Sequence, residues 1–130
     1  MTSVLLDTHV LYWWTAMPRR VSAAATRVIE ASDELAVADV SWFELAFLAE
    51  QGRIVLDRPT LTWMRSVADY VRSIPITPSI AAAAVTLPAT FPGDPADRLI
   101  YATAVETGWP LVTKDARLRS HRNPRKITVW

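Results

Sequence analysis

The chain has 130 residues, of which 51% are hydrophobic and 21% charged, a balance typical of a folded domain and not of a disordered segment. It contains no cysteine, which excludes disulfides and thiolate metal sites and leaves a cytoplasmic location as the default expectation. No basic segment precedes the first apolar residues, and Asp7 interrupts them early, so we expect no signal peptide. The longest apolar run, from residue 80 to residue 85, is broken by Thr86 and Pro88 and is too short to span a bilayer. We predict one domain over residues 1–130.

Predicted strands and helices alternate along the chain, with no linker and no internal repeat. Short apolar runs predict strands at residues 4–6, 35–38, 74–76, 111–113 and 127–130. The predicted helices cover residues 8–16, 22–31, 41–51, 60–73, 78–87 and 95–107, with one helical turn at 116–119. Strands separated by helices need crossover connections. The predicted fold is therefore α/β, with a mainly parallel central sheet and helices on both faces.

Several of these helices carry recognisable signals at their ends. Ser22 and Thr77 are predicted N-caps, and Pro78 occupies the first helical position after Thr77. Gly52 and Gly108 follow predicted helices at the position that favours the left-handed conformation.

Four acidic residues stand where a strand is predicted to end or a helix to begin. Asp7 directly follows the first strand, Glu44 lies in the segment SWFELA, Asp97 in GDPADRL and Asp115 after LVTK. The carboxyl ends of parallel strands lie along one edge of the sheet, where ligands bind. Because carboxylates gathered there could not all stay ionised without cations, they indicate a magnesium site in a nuclease.

Most of these carboxylates also have a structural interpretation. Ser41 and Glu44 fit a capping box at the start of a helix. Asp94 and Asp97 fit the N-cap and third positions of the helix over 95–107, and Asp115 could cap its short helix.

Asp7 is the exception among the acidic residues, because Thr8 beside it would serve as the cap. A single residue can cap a helix, whereas a magnesium site needs several oxygen ligands that converge on one point. The combination therefore favours the metal site. The remaining acidic candidates are predicted to be solvated surface residues: Asp33, Glu34, Asp57 and Asp69.

Positive charge is concentrated near the end of the chain. Residues 1–113 carry 8 basic and 12 acidic side chains, whereas residues 114–130 carry 6 basic and 1 acidic. Such a cluster suits a phosphate backbone, and a solvated terminal face is the alternative. His121 within it is expected to be exposed. The candidate residues for binding a phosphate backbone are Arg98, Lys114, Arg117, Arg119 and Arg122.

Four motifs in this order resemble those of the PIN-domain ribonucleases and, among them, the VapC-type toxins of toxin–antitoxin pairs. The first is LLDTHVLYW at 5–13, and the second is SWFELA at 41–46, followed by QGRIVL at 51–56. The third is GDPADRLI at 93–100 and the fourth LVTKD at 111–115. The terminal Val129-Trp130 is also similar to the end of many members.

The resemblance implies an endoribonuclease that hydrolyses RNA phosphodiester bonds with Mg²⁺ or Mn²⁺. Its acidic quartet would be Asp7, Glu44, Asp97 and Asp115, with Asp7 and Asp97 as the principal metal ligands and Asp94 as an accessory residue. The resemblance also implies a cognate VapB-type antitoxin, a homodimer and possible higher toxin–antitoxin assemblies.

Two hydroxyl residues complete the predicted site. Thr8 and Thr113 are expected to donate hydrogen bonds that orient neighbouring carboxylates. Two departures from the family pattern are Ala96, where many members have an aromatic residue, and residues 91–93, which replace a loop that often carries His and Arg. Loops at 17–21, 53–59 and 88–93 are expected to set RNA specificity.

The remaining aromatic and apolar residues are assigned to structure. His9 points away from Asp7 and is expected to be structural, since hard Mg²⁺ prefers oxygen ligands. Four tryptophans lie on predicted helices and are expected in the core or an interface: Trp13, Trp14, Trp42 and Trp63. An exposed apolar cluster on 42–49 and 60–71 would suit a protein partner.

Three other functions fit parts of the pattern. A phospho-receiver domain would need an acidic pair after the first strand, where only Asp7 stands. A non-catalytic binding module would have lost part of the acidic quartet, which this chain keeps. A housekeeping PIN nuclease for RNA processing or DNA cleavage is the nearest alternative, and an adjacent antitoxin gene would distinguish the toxin from it.

Overall fold

The computed structural model describes residues 1–121 and 125–130. Its strands are Ser3–Leu6 (β1), Glu34–Ala38 (β2), Arg72–Ile74 (β3), Leu111–Val112 (β4) and Thr128–Val129 (β5). Its α-helices are Thr8–Ala16 (α1), Ala23–Ala31 (α2), Val40–Glu50 (α3), Thr60–Ala68 (α4), Pro78–Val85 (α5), Pro95–Thr107 (α6) and Ala116–Arg119 (α7), with a 3₁₀ turn at Pro18–Arg20. No helix in the described ranges has the length and apolar character needed to cross a membrane.

The strands form one sheet in the order β3-β2-β1-β4-β5, and every neighbouring pair is parallel. This confirms the predicted α/β class. The chain builds the sheet outward from β1 to β3, then crosses back to add β4 and β5 on the other side of β1. The order therefore reverses between β1 and β4, and the crevice beyond their carboxyl ends is the place where open α/β sheets bind ligands.

Alternate residues of the central strand face opposite layers, which gives the molecule two apolar clusters. Val4 and Leu6 of β1 belong to the cluster covered by α1, α2, α3 and α4. Leu5 between them belongs to the cluster covered by α5, α6 and α7. All three side chains are buried, as expected for a strand sandwiched between two helical layers.

The prediction of one helix over residues 60–73 was wrong. Helix α4 ends at Ala68, and Arg72–Ile74 forms the edge strand β3, which pairs with Ala36–Ala38 of β2. Val67, Val71 and Ile74 are all buried and follow a helical spacing, which is why the sequence pattern extends past the true end. The backbone hydrogen bonds to β2 decide the outcome.

The predicted helix-end signals are confirmed. Ser22 Oγ accepts a hydrogen bond from the Ala25 amide at 3.1 Å, and Thr77 Oγ1 accepts one from the Ile80 amide at 3.2 Å. Gly108 closes α6 with a φ of 74°, a left-handed conformation that has little steric penalty without a Cβ atom.

Candidate active site

A cleft of about 580 Å³ lies at the carboxyl edge of the sheet. Five acidic side chains and three lysine or arginine side chains contribute to its wall. The lining residues are Asp7, His9, Val10, Trp13, Glu44, Leu48, Arg53, Asp94, Asp97, Lys114, Asp115 and Arg117. The structure thus brings the predicted acidic quartet and Asp94 to one cleft, although they come from four separate segments.

Asp7 is held from two sides. Its Oδ1 atom accepts a hydrogen bond from the Thr8 amide at 2.7 Å, and its Oδ2 atom accepts one from Thr113 Oγ1 at 2.6 Å. The N-cap of α1 is therefore Asp7 itself, and the expectation that Thr8 would cap the helix was wrong. Burial raises the pKa of the Asp7 carboxyl, and the hydrogen bonds from Thr113 and Thr8 lower it less.

Glu44 reaches the cleft from inside α3, and the predicted capping box is absent. The helix begins at Val40, and its N-cap residue Asp39 makes no side-chain capping bond. Glu44 Oε1 instead accepts a hydrogen bond at 2.5 Å from Thr8 Oγ1, which also lies 3.0 Å from the buried Ser41 Oγ. Burial raises the pKa of Glu44, and this hydrogen bond partly opposes the shift.

The two predicted hydroxyl donors are therefore both in use. Thr113 fixes the orientation of Asp7, and Thr8 fixes that of Glu44 rather than that of its neighbour Asp7. Both threonines are almost completely buried, so their hydroxyls have little access to water as an alternative partner. The carboxylates are pre-oriented by side chains from other elements.

Asp94 and Asp97 occupy the first turn of α6 as predicted. Asp94 is the N-cap, and its Oδ1 atom accepts a hydrogen bond from the Asp97 amide at 3.1 Å. Burial, followed by the negative charges of Asp94, Asp7, Asp115 and Glu44, raises the pKa of Asp97 to about 7. Negative charge is therefore crowded around Asp97.

Arg117 lies among these carboxylates. Its Nη2 atom is 2.9 Å from Asp115 Oδ2 and 3.3 Å from Asp97 Oδ2. Asp115 also caps α7, because its Oδ1 atom accepts a hydrogen bond from the Arg117 amide at 2.8 Å. The guanidinium hydrogen bonds lower the pKa of Asp115, which favours the charged form of this carboxylate.

The ligand atoms of the cleft are of the chemical type that a hard divalent cation prefers. The cleft offers carboxylate oxygens, and a cation would offset both the burial and the neighbouring negative charges that raise the pKa of Asp97. In residues 1–121 and 125–130, no three carboxylate or imidazole groups already stand where they could hold one ion. Arg117 bridges two of the carboxylates instead, and they would need to exchange this contact for the metal.

The basic side chains of residues 114–130 were predicted to form one phosphate-binding cluster, but those that the structure describes lie in different places. Lys114 and Arg117 line the cleft at the carboxyl ends of the strands. Arg125 and Lys126 precede β5 and lie near the amino ends of the strands. Arg119 is half-buried and does not line the cleft. Arg122 lies outside the described residues.

Arg98, a predicted RNA-binding residue, is held by the backbone of its own chain. Its guanidinium donates to five backbone carbonyls, those of Ala84, Leu87, Pro88, Phe91 and Pro92, at 3.0–3.3 Å. Arginine has five N–H donors, so within the described part of the chain this set accounts for all of them. Arg98 therefore shapes the segment between α5 and α6.

His121 was expected to be exposed but packs inside. Its ring meets Phe91 edge-on at 5.0 Å and Tyr101 at 5.2 Å. Phe91 and Tyr101 are themselves buried and 4.9 Å apart, so the three rings form one cluster behind the cleft. The neighbouring basic residues in the sequence suggested an exposed His121, but its packing against two aromatic rings buries part of it.

Three aromatic or charged side chains of the cleft were not predicted as site residues, and the expectation that His9 points away from Asp7 was wrong, since both line this cleft. His9 and Trp13 are four apart on α1 and therefore share a helical face, which begins beside Asp7. Arg53 follows Gly52, whose φ of 69° turns the chain after α3. The spacing of His9 and Trp13 was readable in the sequence, whereas the position of Arg53 depends on the turn.

The comparisons with known proteins agree with this geometry. The family model for the PIN domain matches residues 4–123. Ribonuclease VapC22 of Mycobacterium tuberculosis is 67% identical over all 130 residues of both chains.

Solved structures with a similar fold include a toxin–antitoxin complex from Klebsiella pneumoniae, at 22% identity and a TM-score of 0.72 over 98% of this chain and 96% of that one. A DNA-bound VapBC from Salmonella typhimurium matches at 17% identity and a TM-score of 0.72 over 99% and 98%. The chain therefore belongs to the PIN-domain family and, within it, to the VapC group.

Proposed function

We propose that this protein is a metal-dependent endoribonuclease that hydrolyses RNA phosphodiester bonds and acts as the toxin of a VapBC-type toxin–antitoxin pair. The observation that carries the proposal is the convergence of Asp7, Glu44, Asp97 and Asp115 on one cleft. Full-length similarity to Ribonuclease VapC22 supports the choice of RNA as substrate and of a toxin as the biological role.

Asp7 and Asp97 would be the principal ligands of Mg²⁺ or Mn²⁺, with Glu44 and Asp115 completing the set. When bound, the cation supplies activation of the attacking water and neutralisation of the phosphate charge. Asp94 would act beside them by adding charge at the start of α6. Burial first, and neighbouring carboxylates after it, raise the pKa values of Asp7, Glu44 and Asp97, and a bound cation would offset both effects.

The protein's own contribution is positioning. Thr113 and Thr8 hold one oxygen each of Asp7 and Glu44, which limits the rotation of these carboxylates. Asp97 without a cation would hold a proton on one carboxyl oxygen near neutral pH. Lys114 at the rim, and Arg117 once it leaves the carboxylates, would bind phosphates along the RNA.

A VapB-type antitoxin is the proposed protein partner. Phe43 and Phe47 on α3 stack at 6.2 Å and are 70% and 51% exposed, and Leu61 on α4 is 55% exposed. Exposed apolar side chains of this kind suit a protein interface. A homodimer, alone or inside a larger toxin–antitoxin assembly, would be consistent with the same surface.

The nearest alternative remains a housekeeping PIN nuclease that processes RNA or cleaves DNA. The catalytic cleft is compatible with both roles, because both need the same carboxylates. The similarity to a VapC ribonuclease over the whole chain favours the toxin. An open reading frame for a small antitoxin next to the gene, and growth arrest on induction without it, would separate the two.

The direct test is cleavage of single-stranded RNA by the purified protein with Mg²⁺ or Mn²⁺ and with excess EDTA. We expect cleavage with either ion and none with EDTA. Asp97→Asn should lower the rate by orders of magnitude, whereas Asp69→Asn, which changes an exposed acid outside the cleft, should not. Undiminished cleavage in EDTA would exclude the metal mechanism.

A further inference from the structure

Trp13 forms the aromatic centre of a patch at the α1 side of the cleft. Its ring lies 5.7 Å from the His9 ring and 6.0 Å from the Trp130 ring, in both cases tilted rather than stacked. Two cations lie over the same indole: Lys114 Nζ at 5.6 Å and Arg20 Cζ at 5.8 Å from the ring centroid. We call Trp13, His9, Arg20 and Lys114 the Trp13 patch.

The position of Lys114 is unexpected for a cation in this cleft. Lys114 directly precedes Asp115 and lines a cleft with five carboxylates. No salt bridge within the described residues includes Lys114, and its ammonium lies over Trp13 instead. Arg117, by contrast, is bound to two carboxylates.

The aromatic ring thus keeps a positive charge at the rim of the cleft and away from the acidic centre. Contacts between a cation and an aromatic face are weak at exposed sites, so the cation can exchange this contact for a phosphate. Arg20 is exposed and is held in the same way. His9 is exposed and presents a second ring beside the cations.

We infer that the Trp13 patch is a nucleotide subsite for single-stranded RNA, next to the catalytic carboxylates. Lys114 and Arg20 bind phosphates of the strand, and an unpaired base stacks on the rings of His9 and Trp13. This inference rests on the proposed ribonuclease function and adds a binding site to it. Rings interleaved with cations match the alternation of bases and phosphates in a single strand.

An acidic protein segment is the other polyanion to consider. Such a segment would satisfy Lys114 and Arg20 but would leave the rings of His9 and Trp13 without a planar partner. The patch also adjoins the carboxylates on which cleavage depends, since His9, Trp13 and Lys114 line the same cleft as Asp7. The combination favours RNA.

The test measures binding without cleavage. Fluorescence anisotropy of a short labelled single-stranded RNA is recorded in EDTA and compared with an abasic ribose-phosphate strand of equal length and charge. The wild-type protein should bind the RNA about tenfold more tightly than the abasic strand, because each stacked base contributes about one order of magnitude or more. Poly-L-glutamate serves as a competitor that has charge but no bases.

Variants separate the rings from the cations. His9→Ala and Trp13→Leu should reduce the preference for RNA over the abasic strand, with Trp13→Phe retaining part of it. Lys114→Gln and Arg20→Gln should keep the preference but each reduce the slope of log K against log salt by about 0.7. Arg72→Gln is the matched control, because Arg72 lies 5.9 Å from the Trp109 ring, outside the cleft.

The outcomes that overturn the subsite are distinct from those that overturn the function. Equal binding of RNA and abasic strand by the wild-type protein, or competition by poly-L-glutamate as strong as that by RNA, would refute it. An unchanged salt slope in Lys114→Gln would also refute the subsite. Lys114 is exposed, so this variant should fold even if Trp13→Leu does not. Metal-dependent RNA cleavage measured in parallel tests the proposed function separately.

Discussion

Thr113 Oγ1 donates a hydrogen bond to Asp7 Oδ2 at 2.6 Å, although the two residues are 106 positions apart. The bond joins the end of β1 to the end of β4, the two strands between which the sheet order reverses. Asp7 lines the cleft at this reversal, and Thr113 is buried beside it. The topology of the sheet therefore places and orients the first carboxylate of the site.

Thr113→Val should impair catalysis more than folding. It keeps the size of the buried side chain but removes the hydrogen bond that orients Asp7, and loss of such a bond typically lowers activity about 10- to 100-fold. The measurements are the rate of RNA cleavage at saturating metal and the free energy of unfolding.

Thr103→Val provides the control for this change. Thr103 is also buried, and its hydroxyl donates to the Leu99 carbonyl at 2.7 Å, outside the cleft. This variant should keep its cleavage rate. Equal rates for Thr113→Val and the wild type would show that the hydrogen bond to Asp7 does not serve catalysis.

Asp97 should make the metal-free protein less stable as the pH rises. Its pKa is raised to about 7 in the folded state from 3.8, so the folded protein binds the proton more tightly. The contribution of Asp97 to the free energy of unfolding is fully present below about pH 4, where the carboxyl is protonated, and is lost between about pH 4 and pH 7. At about 1.4 kcal/mol per pKa unit the upper bound is about 4 kcal/mol, and interactions within the cluster reduce it to about 1–3 kcal/mol.

The measurement is urea unfolding in EDTA across this pH range. Asp97→Asn should lose less stability than the wild type over this range, because the raised pKa values of Asp7 and Glu44 remain, and it should be the more stable protein at pH 8. Asp69→Asn should follow the wild-type curve. A parallel loss of stability in Asp97→Asn and the wild type would assign the pH dependence to other groups.

Arg117→Gln should tighten the binding of divalent cations. The guanidinium contacts Asp97 and Asp115, so it competes with a metal for both carboxylates and repels it. We expect the dissociation constant for Mn²⁺ to fall several-fold, as measured by electron paramagnetic resonance without RNA. The gain should be small because Arg117 is 64% exposed and its charge is screened by solvent.

Arg119→Gln is the control for metal binding, because Arg119 is a neighbouring arginine of α7 that does not line the cleft. It should bind Mn²⁺ as the wild type does. Weaker Mn²⁺ binding in Arg117→Gln would mean that Arg117 supports the carboxylates in their metal-binding positions.

Arg98→Met should destabilise the protein without changing the salt dependence of RNA binding. The change removes the donors to five carbonyls and leaves the buried carbonyls without a hydrogen bond. We expect the free energy of unfolding to fall by about 2–4 kcal/mol in total. Arg27→Met, on the exposed side of α2, should change the free energy of unfolding little. A reduced salt slope in Arg98→Met would restore Arg98 to the RNA-binding surface.

The alternation of strands and helices and the junction positions of the four acids were readable from the sequence. These features depend on local signals: apolar runs predict buried strands, and the caps Ser22, Thr77 and Asp94 mark where helices begin. Local signals act over a few residues, and the amino-acid sequence displays them directly. By themselves they determine the α/β class and the edge of the sheet where the acids meet.

The partners of the site residues were decided only by the tertiary structure. Glu44 fitted a capping box locally, yet it binds Thr8, because α1 and α3 pack together. Arg125 and Lys126 are close to Lys114 in sequence but lie near the amino ends of the strands, because β5 is parallel to β4 and therefore begins beside the start of β4. Contacts between distant segments depend on how the helices pack on the sheet, and no local pattern of residues encodes that packing.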